Sequence, residues 1–102
     1  LTCSASGTGT DTRLVRLTWN SNNSYDTDGY YIYRSLSYYS TFAVVDTVMH
    51  ISSVTQQTYI HSSVNDQTVM PGDFWYKVSA FKQYSSGRLE GRPSDPKFIR
   101  IY

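Results

Sequence analysis

Hydrophobic and polar residues alternate with period two through much of this chain. In RLVRLTW, Val15, Leu17 and Trp19 share one face while Arg16 and Thr18 share the other, the pattern of a half-buried strand. DFWYKVSAFK repeats it, with Phe74, Tyr76, Val78 and Ala80 inward and Trp75, Lys77, Ser79 and Phe81 outward. DGYYIYRS sets Tyr30 and Ile32 against Tyr31 and Tyr33. TFAVVDTVM is rich in β-branched residues and reads as strand, although Phe42, Val45 and Met49 also fit a helical stripe. Further strands are predicted at TCSAS, QTYIHS and PKFIRIY. Turn signals separate these runs at Gly7 to Thr10, Asn20 to Asp28, Asn65 to Gln67 with Pro71-Gly72, and Ser85 to Pro93. Seven short strands at spacings near ten residues predict an all-β, antiparallel sandwich.

Composition supports that reading. Ser and Thr are abundant, ten residues are Tyr, and Ala and Leu are scarce, which disfavours helix. A chain of 102 residues fits a single domain spanning 1–102. A domain of this size buries roughly 65% of the surface its unfolded form exposes, enough for one core. Net charge is +1 and the basic residues are interspersed with acidic ones, so nucleic acid is not an expected partner. No apolar run approaches the roughly 18 residues of a membrane span, and no basic-then-apolar leader opens the chain. Membrane insertion is therefore not expected. Cys3 stands alone, so it forms no internal bridge and reads as a small inert side chain or one able to pair with another chain.

Candidate chemistry is sparse. SYDTDGYYIYRS echoes a calcium loop, but with Gly29 at its sixth position the loop has Asp28 fifth, Asp26 third, Ser24 first and Ser35 twelfth, so two anchoring carboxylates are missing. It reads instead as an Asp/Gly turn in which Gly29 accepts a positive φ. His50 and His61 lack the further ligands that tetrahedral zinc needs and are expected on the surface. Serines with His61 and Asp66 supply the atoms of a hydrolytic triad, yet a Ser/Thr-rich β domain offers these types by chance, and a triad also needs a pocket and an oxyanion site. Asn22-Asn23-Ser24 is a glycosylation sequon and reads as a surface loop. No cofactor, metal or catalytic residue is expected.

The aromatic residues are the strongest candidates for a binding surface. Tyr38 and Tyr39 fall in a connecting loop, as does Tyr25, and Tyr31, Tyr33 and Trp75 are predicted to face outward on one sheet. Such rings stack on sugars or anchor a protein partner. They equally cover the stems of Lys77, Arg34 and Arg100.

VRLTWN, DGYYIYRS, QTYIHSSV, MPGDFWYKVSAF and EGRPSDP, in this order and at these separations, together resemble a fibronectin type III domain of the kind found in multidomain bacterial extracellular proteins. The resemblance implies a seven-stranded immunoglobulin-like sandwich with Trp19 at the centre of the core, Tyr30 opening the third strand, and the third and sixth strands as neighbours. It also implies a secreted or cell-surface location and a chain excised from a larger protein, monomeric in isolation. On this likeness the chain acts as a spacer or protein-interaction module, its partners being neighbouring domains or another protein. A carbohydrate-binding module using the tyrosines is the second expectation. Two departures stand out: the family's corner tyrosine falls at Phe74, so its hydroxyl tie should be absent or taken over by Tyr76, and His61 stands where an Asp is common. No Arg-Gly-Asp adhesion tripeptide occurs.

Overall fold

The computed structural model describes residues 2–6, 13–20, 27–51, 54–64, 66–67 and 69–101, the first of these segments as backbone alone. Eight strands are present: β1 (Thr2–Ser6), β2 (Leu14–Asn20), β3 (Gly29–Ser35), β4 (Ala43–Met49), β5 (Gln56–Ser62), β6 (Gly72–Tyr84), β7 (Gly87–Glu90) and β8 (Lys97–Ile101). No helix occurs among the described residues. All pairings are antiparallel. One sheet has the order β1-β2-β5, and the other runs β4-β3-β6, with β7 and β8 both on the far edge of β6. Cys3 lies on β1 opposite Leu17.

The inward residues of both sheets meet in one core, giving a sandwich-like fold. Val15, Leu17 and Trp19 come from the first sheet, and Tyr30, Ile32, Phe74, Tyr76, Val78, Ile99 and Ile101 from the second. These are the faces that the alternation assigns, because a pleated strand turns every second side chain to one side. Trp19 packs edge-on against Tyr30 at 5.3 Å, and Val69 closes the core from the β5–β6 loop. The region that fits both strand and helical stripe is strand. Ile32 pairs with Asp46 and Tyr33 with Val44, so Val45 is the extra residue of a β-bulge.

Three expectations need correction. The span Ser85 to Pro93 is not all turn: Tyr84 pairs directly with Gly87, leaving Ser85-Ser86 as a two-residue hairpin loop, and Gly87 adopts the positive φ of 139° that lets β7 return along β6. Strand β7 is thus an eighth strand, sharing an edge with β8. Pro93 and Pro96 lie in the interval between these two strands and have no N–H for the ladder. The segment still follows β6, through Gly91 N–H to the Ala80 carbonyl at 2.8 Å and Ser94 N–H to the Val78 carbonyl at 2.7 Å. Second, Gly29 has no positive φ. It is needed for close approach, since a Cβ there would stand 2.5 Å from the Phe81 ring and 2.8 Å from the Val48 carbonyl oxygen. Third, Ser79 and Phe81 lie on the outward face of β6, yet both are only 2% exposed.

Candidate functional site

The outward face of the second sheet carries the predicted binding residues, and the register brings them together. Tyr31 pairs with Ser79, Tyr33 with Lys77, and Ser35 with Trp75. Tyr31, Tyr33, Trp75 and Lys77 therefore share one surface. They do not form one uniform patch.

Toward the C-terminal end of β6 the surface is covered. Phe81 lies across the backbone of Gly29, with Tyr31 at 4.7 Å and the Arg88 guanidinium at 4.4 Å from its ring. Glu90 on β7 accepts hydrogen bonds at 2.6 Å from both the Tyr33 hydroxyl and the Ser79 hydroxyl. Arg88 is aimed by its own donation to Gln83 Oε1 at 2.6 Å. Partial burial, reinforced by the Glu90 carboxylate, pushes the Tyr33 hydroxyl up to about 12. Long side chains of β7 thus bury the ring that alternation places toward water.

Toward the N-terminal end of β6, Trp75 is half-buried and the rings around it are exposed. Tyr39 meets Tyr38 at 5.0 Å, Tyr38 meets Trp75 at 5.3 Å, and Trp75 meets Phe98 at 5.3 Å, forming a row from the β3–β4 loop across β6 to β8. Tyr39 is 93% exposed, and Tyr38 and Phe98 are 45% exposed. Beside the row, the Lys77 ammonium sits over the rings of Phe42 at 4.3 Å and Tyr33 at 5.3 Å. Arg100 stands over Phe98 at 5.7 Å and donates to both oxygens of Asp73, which holds that carboxyl below its ordinary range. The third cation named from sequence, Arg34, stacks over Phe74 at 5.1 Å.

Phe98, Phe42, Arg88 and Glu90 belong to this surface although the sequence pattern does not single them out. A signal exists for Phe98, which alternates with the inward Ile99 and Ile101 in KFIRI. None exists for Arg88 and Glu90, whose strand falls inside a segment rich in turn residues.

The remaining candidates are engaged in holding the fold. His61 is buried, 1% exposed, not a surface histidine as expected. Its Nε2 and the Asp66 carboxylate are 2.8 Å apart, as are its Nδ1 and the Tyr76 hydroxyl. A carboxylate only accepts, so Nε2–H donates to Asp66 and, in the neutral ring, Nδ1 accepts from Tyr76. The sequence pairing of His61 with Asp66 is therefore real, but a phenol takes the place a triad reserves for a nucleophilic serine. The Tyr76 hydroxyl thus joins β6 to His61 on β5, whose ring in turn reaches Asp66 in the loop that follows β5. His50 is half-buried, with Nδ1 2.9 Å from the Tyr30 hydroxyl. Tyr59, half-buried and hydrogen-bonded to Asp46, is pushed well up by burial and that carboxylate.

Of the calcium-loop candidates, Ser24 and Asp26 lie outside the described residues, as do Tyr25 and the Asn22 sequon. Asp28 is described, and its carboxylate accepts from the Gln83 N–H at 2.7 Å and stands 3.4 Å from the Lys82 ammonium. The Gln83 N–H, with Lys82, holds that carboxyl below its ordinary range. Among the described residues no group of three or more His, Cys, Asp or Glu is placed to hold a metal ion. No protein-family model, no curated protein and no solved structure matches this chain.

Proposed function

We propose that this chain is a non-catalytic module of the fibronectin type III kind, acting as a spacer or protein-interaction domain within an extracellular or cell-surface protein. The observation that carries the reading is the division of labour among its side chains. The groups able to do chemistry, namely His61 with Asp66, His50, Glu90 and Asp28, are bound into contacts that hold loops and strands. Open to water beside the half-buried Trp75 are the rings of Tyr38, Tyr39 and Phe98, which are suited to contact. The strand arrangement agrees with the likeness: β3 neighbours β6, and β7 with β8 occupies the edge that a single seventh strand has in such a sandwich.

The test joins the chain to the domains that flank it in its parent protein. An interaction module should capture those domains, and Trp75→Ala should weaken capture, because aromatic anchors dominate such contacts. A spacer should melt independently of its neighbours and lose nothing but stability. Reproducible signal on a glycan array, lost in Trp75→Ala and Tyr38→Ala, would replace this reading with the carbohydrate-binding one.

A further inference from the structure

We propose that the Gln57 side chain closes the free edge of β4 against strand addition, and that without it two copies of this chain pair antiparallel through β4. The inference goes beyond the module reading and does not depend on it.

Strand β4 is an edge strand of the second sheet, hydrogen-bonded to β3 alone. An edge of this kind presents a row of backbone N–H and C=O groups that can template a further strand. The ladder decides which groups those are. The His50 N–H donates to the Asp28 carbonyl at 2.9 Å, so Asp46, Val48 and His50 turn their backbone polar groups to β3, and Thr47, Met49 and Ile51 turn theirs outward. Side chains here offer little deterrent, since Val44 and Ile51 are each 51% exposed and Met49 61%.

Three of the outward groups already have partners, all of them side chains. Gln57 belongs to β5 in the other sheet, where it pairs with Trp19, yet its carboxamide reaches across the side of the sandwich. Its Nε2 donates to the Met49 carbonyl at 3.0 Å and its Oε1 accepts from the Ile51 N–H at 3.0 Å. A carbonyl and the N–H two residues on are the pair that one residue of a parallel strand would bridge, so the amide stands in for a residue of an added strand opposite His50. It also withholds the Met49 carbonyl from an antiparallel strand. Asp46 Oδ1 adds a third cap, accepting from the Thr47 N–H at 2.7 Å. Gln57 is only 4% exposed, so its amide has no ready exchange with water, and expelling it would leave a donor and an acceptor buried without partners.

The occupant of a vacated edge is β4 of a second copy. A two-fold axis at Met49 sets Met49 against Met49 and Thr47 against Ile51, all uncharged. Asp46, the one charge of the strand, falls well away from its own copy in that register and is held by the Tyr59 hydroxyl.

Sedimentation velocity and amide exchange on the 102-residue chain test this with Gln57→Met, which keeps an unbranched side chain and removes both hydrogen bonds. Wild type should sediment at its monomer mass of 11.7 kDa. Gln57→Met should double that mass, and its newly paired Met49 N–H should exchange at least about tenfold more slowly than in wild type. Adding Met49→Lys should restore the monomer, because like charges then face each other across the axis. Gln57→Glu should also associate, more weakly, since its carboxylate still accepts from Ile51 but sets an acceptor against the Met49 carbonyl. A thermal melt of each variant separates pairing of folded chains from aggregation of unfolded ones. A folded, monomeric Gln57→Met, a wild type already paired with Met49 protected, association that Met49→Lys leaves intact, or loss of folding in both Gln57 variants would each overturn the inference.

Discussion

At one end of the outward face of the second sheet, Phe81 is sealed under Tyr31 and Arg88. At the other, Trp75 is half-buried between Tyr38 and Phe98, with no charged side chain laid across it. The two positions sit on one strand, six residues apart, and share a face by parity. The difference comes from the strand alongside. Strand β7 sends Arg88 and Glu90 over the face, where the guanidinium covers Phe81 and the carboxylate pins Tyr33 and Ser79. Strand β8 sends Phe98 and Arg100, and Arg100 is held by Asp73. An outward position is thus buried or exposed according to what its neighbour can lay across it, and the hairpin turn at Gly87 decides which neighbour that is.

The largest test of this comparison is Phe81→Ala. If the covered end is a second apolar cluster, the change should destabilise by about 3 kcal/mol or more, comparable to the 3–5 kcal/mol for Trp19→Ala in the central core. Chemical denaturation of both variants measures it, and a Phe81→Ala loss below about 1 kcal/mol would make the cover cosmetic. Trp19→Phe should be far milder than Trp19→Ala, because the buried Trp19 Nε1–H has no acceptor among the described residues to lose.

Gly29→Ala addresses the same end from beneath. The added methyl crowds both the Phe81 ring and the Val48 carbonyl oxygen, so a loss of about 1–3 kcal/mol is expected, as for overpacking. Combining it with Phe81→Ala should recover only the part of that increment due to the ring, since the contact with the Val48 carbonyl oxygen at 2.8 Å remains. Strict additivity in the double-mutant cycle would locate the strain elsewhere.

At the open end, Trp75→Ala should lower stability by only about 1 kcal/mol, from lost apolar cover, and Tyr39→Ala by less than about 0.5 kcal/mol. Equal losses for Trp75→Ala and Phe81→Ala would erase the contrast between the two ends.

The smallest effect is read at high pH. Tyr33 holds its proton to about 12 in the folded chain against an ordinary value of 10.0. A raised value means its contribution is fully present below pH 10 and is lost as pH rises from there through 12. Tyr33→Phe cannot ionise and should unfold less steeply across that window. Identical alkaline melting curves for wild type and Tyr33→Phe would show that the Glu90 latch does not couple to proton release.

Much of the architecture is legible in the amino-acid sequence by itself. Period-two alternation places Val15, Leu17, Trp19, Tyr30, Ile32, Phe74, Tyr76 and Val78 on the inner faces, since strand geometry leaves each side chain only two directions. It also turns Tyr31, Tyr33 and Trp75 outward, although only the pairing of β3 with β6 brings them to one surface, and turn chemistry locates most of the breaks between strands. Tertiary structure decides the rest. Strand β7 is hidden in the sequence because its four residues lack an apolar alternation and lie among Ser, Gly and Pro. Alternation assigns Phe81 to water because a strand pattern records side and not cover. His61 reads as a surface residue because its buried place depends on Tyr76 and Asp66, which reach it from another sheet and from a loop. Gly29 reads as a turn residue because local sequence carries no trace of a phenyl ring folded across it from β6. Local geometry sets the direction in which a side chain leaves the backbone, and only the assembled neighbours determine whether it meets water, a ring or a charge.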